Sequence, residues 1–309
     1  MASRLTALQA GWESVDPPRR PVLLINPRSG GGKAARAGLA DRARDRGIEP
    51  VVLGPEDDLA ALVATALDGG ADALGMAGGD GSLAIVAAAA AERDLPFVCL
   101  PAGTRNHFAL DVGILRHDLV GALDAFTAGL ERRIDMAEIN GRPFLNNVSL
   151  GVYGEAVQRS GYRDAKLRTM LETVDQVLSA TAPAPGLMIR DEMGHQHTSP
   201  LVVLVSNNAY AVDHPLVRGS RPRLDTGLLG IIVVDRAGAE GPPISAWSAP
   251  SFDVPATASL PAGVDGEAVT LPAPARWTVR PGALRVRISR HHPGVSPSYL
   301  LSHSPRPRA

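Results

Sequence analysis

Four short apolar runs, separated by helix-patterned stretches, fill the first third of this 309-residue chain. Val22 to Ile25, Val51 to Leu53, Ala73 to Met76 and Phe97 to Leu100 read as strands. Lys33 to Arg46, Asp57 to Leu67 and the Ala-rich Ser82 to Arg93 read as helices. Strands that alternate with helices in this way form a parallel sheet covered by helices on both faces. Such sheets bind ligands at the carboxyl ends of their strands, in the loops leading to helices. The glycine clusters of this sequence occupy those loops.

The pattern changes after Arg132. Ile134 to Ile139, Phe144 to Leu150, Leu187 to Arg190, Leu201 to Ser206 and Leu229 to Val234 look like strands between turns, with further candidates at Thr278 to Val279 and Leu284 to Ser289. One long helix is expected among them, because Leu167, Met170, Leu171, Val174, Val177 and Leu178 form a single apolar stripe. The expected fold is thus an α/β nucleotide-binding domain over residues 21–135, then a mostly antiparallel β domain over 136–290 carrying one long helix. Residues 1–20 and 291–309 are rich in Pro, Arg and Ser and read as mobile ends.

Composition narrows the function classes. The 45% apolar content excludes a disordered polar chain, and no stretch is long and apolar enough to suggest a membrane span. The 31 basic and 32 acidic side chains nearly cancel, so an overall electrostatic footprint for nucleic acid is missing. A lone cysteine, Cys99, excludes a cysteine metal cluster and reads as a buried thiol. A cytoplasmic protein, with any membrane contact peripheral at the inner face, is expected. Arg159, Arg163 and Lys166 line one face of the expected long helix and are a candidate contact with anionic headgroups, although an ordinary solvated face explains them as well.

Three glycine loops carry the chemistry. The first, Asn26-Pro27-Arg28-Ser29-Gly30-Gly31-Gly32-Lys33, joins a strand to a helix, where amides and the helix dipole attract an anion. It is not a Walker A loop, which needs Gly in place of Pro27 and Ser or Thr in place of Ala34. The second, Gly78-Gly79-Asp80-Gly81-Ser82, suits backbone contact with phosphate while Asp80 serves a metal or its water shell. The third runs from Pro101 through Gly103, Thr104, Arg105, Asn106 and His107 to Ala109.

Together these loops resemble the catalytic-domain motifs of the diacylglycerol kinase-like lipid kinases, over Pro21 to about Asp111. The likeness continues more loosely through Phe144 to Gly151, Ser206-Asn207-Asn208, Arg223 to Leu229 and Val264-Asp265-Gly266-Glu267-Ala268. The resemblance implies an ATP- and Mg2+-dependent kinase that phosphorylates a hydroxyl of a membrane lipid such as diacylglycerol. It implies ATP-binding residues at Asn26, Pro27, Arg28, Ser29, Gly30, Gly78, Gly79, Asp80, Gly81, Ser82, Gly103, Thr104 and Asn106. It also implies Glu267 as general base, with Asp265 and Asp80 beside it in catalysis, and Asp80 and Asp225 as metal candidates. Thr226 stands where many bacterial members have aspartate, so retention of a structural magnesium site stays open. Family members place the active site between an α/β domain and a β-sandwich domain.

From the residues alone, Asp265-Gly266-Glu267 is first a hairpin turn. As an extended segment it presents both carboxylates to one side, with Glu267 as base and Asp265 orienting it or holding magnesium. An NAD kinase shares the Gly-Gly-Asp-Gly loop and is the nearest rival. A dehydrogenase rests only on Gly30, Gly32 and Ala35, and a non-catalytic nucleotide or lipid sensor also remains. His195 and His197 read as surface-loop residues, and His291 and His292 as part of the tail. The lipid acceptor and the oligomeric state, including a homo-oligomer, stay open.

Overall fold

The computed structural model describes residues 5, 8–151, 187–211, 219–235 and 243–302. The chain forms two compact units, residues 1–134 with 282–309, and residues 135–281. Two strands, β6 (Gly129–Ile139) and β17 (Ala275–Ser289), span the boundaries.

In the first unit the strands β3 (Glu49–Val52), β2 (Pro21–Ile25), β4 (Ala73–Ala77) and β5 (Pro96–Leu100) lie side by side and parallel. Arg285 to Arg287 of β17 extend the sheet parallel to β5. Strands β2, β4 and β5 are buried along their whole length, as uninterrupted apolar runs in a two-sided parallel sheet should be. Leu23, Ile25 and Val98 pack with Ala34, Leu39 and Ala43 in one apolar cluster. Each fully buried leucine there stabilises the unit by about 1.5–3 kcal/mol. The helix expected over Lys33 to Arg46 is two helices, α1 (Lys33–Arg36) and α2 (Leu39–Arg44), because Gly38 adopts φ 58 between them. Helix α3 (Leu59–Asp68) starts on Asp58, whose carboxylate caps the Ala60 amide.

Where they are described, the two ends are bonded to the rest of the chain and to each other. Strand β1 (Glu13–Ser14) pairs with Leu130 and Glu131 of β6. Trp12 Nε1 donates to Gly294 O at 2.8 Å, and Gln9 Nε2 to His292 O at 2.7 Å. His292 is fully buried, with Nε2 3.3 Å from Asp118 Oδ2. Gln9 and Trp12 are thus tied to residues almost the whole chain away, and His292 to one 174 residues away, which composition alone does not show. Glu131 bonds Arg285 and Arg287, both at 2.7 Å. Burial pushes its carboxyl pKa up, but the hydrogen bonds and charges of the two arginines outweigh that, and it lies below the ordinary value.

In the second unit, six antiparallel strands run in the order β13 (Ile244–Ala249), β12 (Leu229–Val234), β11 (Val202–Asn207), β8 (Asn147–Gly151), β15 (Leu260–Val264) and β16 (Glu267–Leu271). Val203, Val205, Ile231 and Val233 of this sheet join a core with Phe252 and Trp277. Those two aromatics lie on β14 (Ser251–Val254) and β17, which pair antiparallel. The two strands expected over Thr278 to Ser289 are one strand, β17. The short pair β9 (Met188–Arg190) and β10 (Gln196–Thr198) forms a separate hairpin. The expected long helix and the Arg159, Arg163, Lys166 stripe lie outside the described residues. Among the described residues, no helix is long and apolar enough to cross a membrane.

Candidate active site

The three glycine loops leave the carboxyl ends of β2, β4 and β5 and meet. A Cβ on Gly30 would sit 2.3 Å from Ala102 O, and one on Gly103 would sit 2.9 Å from Gly79 Cα. The first and second loops therefore each touch the third so closely that only glycine fits. Gly30 also has φ 56, a conformation that side chains disfavour. By contrast, Cβ atoms on Gly31 and Gly79 would meet nothing within 4 Å, so the cluster is open on that side.

Asn26 shapes the first loop, its Oδ1 accepting the Arg28 amide at 3.0 Å, while Pro27 and Ser29 are half-buried beside it. Arg28 is exposed. Lys33 sits at the start of α1, and its Nζ donates to Pro101 O at 3.2 Å and Arg116 O at 3.3 Å. It thus ties the first loop's helix to the third loop. In the second loop, Gly79 precedes helix α4 (Asp80–Glu92) without a side-chain cap. The amides of Asp80, Gly81 and Ser82 belong to the first helical turn, whose N–H groups lack intrahelical acceptors. Gly78 is buried, and Gly81 and Ser82 are half-buried. In the third loop, Asn106 is 3% exposed and its Nδ2 donates to Pro101 O and Gly103 O, while Oδ1 has no partner among the described residues. Thr104 is exposed.

Asp80 links the last two loops. Its carboxylate accepts the amides of His107 (3.4 Å) and Phe108 (3.2 Å) at the start of helix α5 (His107–Val112). Burial, and then the nearby Asp80 charge, push the Cys99 thiol well above its ordinary pKa. That removes Cys99 as a nucleophile.

In the second unit, Asp265 and Glu267 are not two steps along one strand. Val264 and Glu267 face each other across the β15–β16 ladder, with Asp265 (φ 48) and Gly266 (φ 86) as the two-residue turn. Left-handed angles at both central positions match the tight hairpin turn that twisted strands favour. The expectation of two carboxylates side by side on an extended segment is corrected accordingly. Asp265 spends its carboxylate on three successive amides, Leu145 (2.8 Å), Asn146 (2.8 Å) and Asn147 (3.1 Å). Glu267 is exposed, with Arg142 Nη2 3.5 Å from its carboxylate.

Asp225 Oδ1 bonds Arg223 Nε at 2.9 Å. Thr226 donates from its amide and its hydroxyl to Asn208 Oδ1, at 2.9 and 2.5 Å. Among the described residues, no three His, Cys, Asp or Glu side chains lie close enough to hold a metal. The Asp80 carboxylate accepts the His107 and Phe108 amides, and that of Asp225 accepts from Arg223 Nε. The glycine cradle, open at Gly31 and Gly79 with helix amides beside it, does fit the phosphates of a nucleotide.

Several residues escaped the sequence reading. Arg221 is fully buried and bonds the Leu145 and Asn207 carbonyls. Its segment of Pro and Arg carries no signal of burial. His197 is 3% exposed, 2.5 Å from Asp235 and stacked on Trp247, which corrects its reading as a surface residue. His195 is exposed beside Asp191.

Glycine loops that close on one another at the carboxyl ends of a parallel, helix-covered sheet make a cradle of the kind found in nucleotide-binding α/β proteins. Residues 20–139 match the family described as the diacylglycerol kinase catalytic domain. A Pseudomonas aeruginosa protein named "Probable lipid kinase YegS-like" is 30% identical, covering 92% of this chain and 97% of its own. A Mycobacterium tuberculosis diacylglycerol kinase is 34% identical over 38% of this chain and 39% of its own. In fold, the chain is similar to the crystal structure of a diacylglycerol kinase from Bacillus anthracis. The TM-score is 0.60 at 19% identity, covering 87% of this chain and 96% of that one. The chain belongs to the diacylglycerol kinase-like lipid kinase family. It is accordingly an enzyme of the lipid kinase class.

Proposed function

We propose that the protein transfers the γ-phosphoryl group of ATP to a hydroxyl of a membrane lipid of the diacylglycerol type. The observation that carries this reading is the mutual closure of the Gly30, Gly79 and Gly103 loops. ATP phosphates lie against the first-turn amides of α4 and the loop backbone, with Asn26, Ser82 and Thr104 adding side-chain contacts. Magnesium arriving with ATP would be held from the Asp80 side and would neutralise phosphate charge. Asp80 keeps the second and third loops in register beneath it.

Glu267 accepts the proton of the lipid hydroxyl as its oxygen attacks the γ-phosphorus. The new O–P bond forms, the bond to the β-phosphate bridging oxygen breaks, and ADP leaves. The lipid substrate makes the enzyme a peripheral visitor to the membrane surface. Purified protein incubated with ATP labelled on the γ-phosphate and a total lipid extract should yield a labelled, organic-soluble phospholipid. Label in NADP when NAD is supplied, with none in lipid, would replace this reading with an NAD kinase.

A further inference from the structure

We propose that Arg221 is a positioning residue for the acceptor half of the reaction, fixing the hairpin that presents Glu267. The inference rests on the role proposed for Glu267. Arg221 is 0% exposed. Its Nη1 donates to Leu145 O at 2.6 Å and to Asn207 O at 2.7 Å, with Asn146 O at 3.5 Å, and Nη2 donates to Asn146 Oδ1 at 3.0 Å. Its guanidinium lies 5.7 Å from the Tyr210 ring centre, and Tyr210 Oη accepts from Asn147 Nδ2 at 3.0 Å.

The same stretch of backbone is held on its other side by Asp265. The carboxylate takes the amides of Leu145, Asn146 and Asn147, and the Asp265 amide donates to Asn147 O at 2.9 Å. Residues 145–147 are therefore clamped between a buried cation on carbonyl oxygens and a carboxylate on N–H groups. Both charges complement the peptide dipoles they face, and such charge-assisted bonds are about twice as strong as neutral ones.

Asp265 is the first turn residue of the β15–β16 hairpin, and Glu267 is the first residue after the turn. Asp265 is thus the point where the clamp meets the hairpin. Removing Arg221 leaves the Leu145 and Asn207 carbonyls short of a donor inside the unit and frees the segment on which Asp265 is anchored. Arg221 and the hairpin belong to the second unit and the glycine loops to the first, so its effect falls on the acceptor step and not on nucleotide affinity.

The test compares the wild type with Arg221→Met and Arg221→Lys by amide hydrogen exchange and by steady-state kinetics with ATP and lipid vesicles. Arg221→Met should speed exchange about tenfold or more at residues 144–150 and 260–271, and leave residues 21–112 unchanged. It should lower kcat about tenfold or more while the KM for ATP stays within about threefold. Arg221→Lys, which keeps the charge but loses the fork of donors, should fall between the two and carries the test if the Met variant does not fold. A folded Met variant with wild-type kcat, or with unchanged exchange at residues 260–271, overturns the positioning role alone. Wild-type protein that phosphorylates no lipid overturns the lipid kinase reading and the positioning role with it.

Discussion

The glycine loops of the first unit and the hairpin of the second use an aspartate in the same way, and they surround it with opposite materials. Asp80 binds the amides of His107 and Phe108, and Asp265 binds those of Leu145, Asn146 and Asn147. Around Asp80 the structure is main chain, with Gly30 and Gly103 letting backbones touch. Around Asp265 it is buried side chain, with Arg221, Asn146, Asn207 and Asn208 each at most 2% exposed. A bare backbone cradle suits an anion that brings its own charge. A fixed polar scaffold suits a single carboxylate that must be held at one place.

That contrast breaks first at the glycines. Gly81→Asp puts a carboxylate in the first turn of α4, where phosphate is proposed to bind, and should weaken ATP binding about a hundredfold or more in a folded protein. Calorimetric titration checks this, and unchanged affinity removes the cradle from the nucleotide site.

The two aspartates should differ in stability. Asp265→Ala loses three bonds of 2.8–3.1 Å and should cost about 2–4 kcal/mol in denaturant unfolding of the second unit. Asp80→Ala loses bonds of 3.2 and 3.4 Å and should cost about 1 kcal/mol. Equal losses would erase the distinction between them.

A smaller effect appears with pH in the first unit. Burial holds the His292 pKa below its ordinary 6.5, with Asp118 offsetting part of the shift. The unfolded chain therefore takes up this proton more readily than the folded one. Stability from neutral His292 is present above pH 6.5 and is lost as the pH falls below that value through the lower pKa of the folded state. The melting temperature should drop between pH 7.5 and pH 5.5, over a span of about two units, and His292→Gln should flatten that drop. A variant with the wild-type slope refutes the assignment. Glu131 acts in the same direction further down. Its lowered pKa makes its stabilisation present above 4.5 and lost as the pH falls below that value. The smallest effect belongs to Arg142→Ala. Its ion pair with Glu267 is long and exposed and is worth about 0–1 kcal/mol, so stability should hardly move.

Legibility in the sequence follows the same division. The first unit's loops could be read because each is contiguous, and glycine clusters behind apolar runs have few structural alternatives. The hairpin was harder. Asp265-Gly266-Glu267 reads first as a turn but also suits an extended segment, and only the pairing of Val264 with Glu267 decides between them. Arg221 was invisible because its partners, Leu145 and Asn207, lie 76 and 14 residues away. His197 was misread for the same reason, since Asp235 is 38 residues distant. Chemistry made by neighbouring residues shows in a sequence, while chemistry made by long-range burial of polar side chains does not.

The division of labour itself is tested most directly in one protein, Glu267→Gln, by measuring turnover and ATP affinity together. Glutamine keeps the size and hydrogen-bonding reach of the side chain but takes up no proton. Lipid phosphorylation should fall about 10²- to 10⁴-fold while the Kd for ATP stays within about threefold. Full turnover across pH 6 to 9, a range of about three units, with the chemical step rate-limiting, would contradict the account and leave Glu267 as an ordinary residue after a hairpin turn.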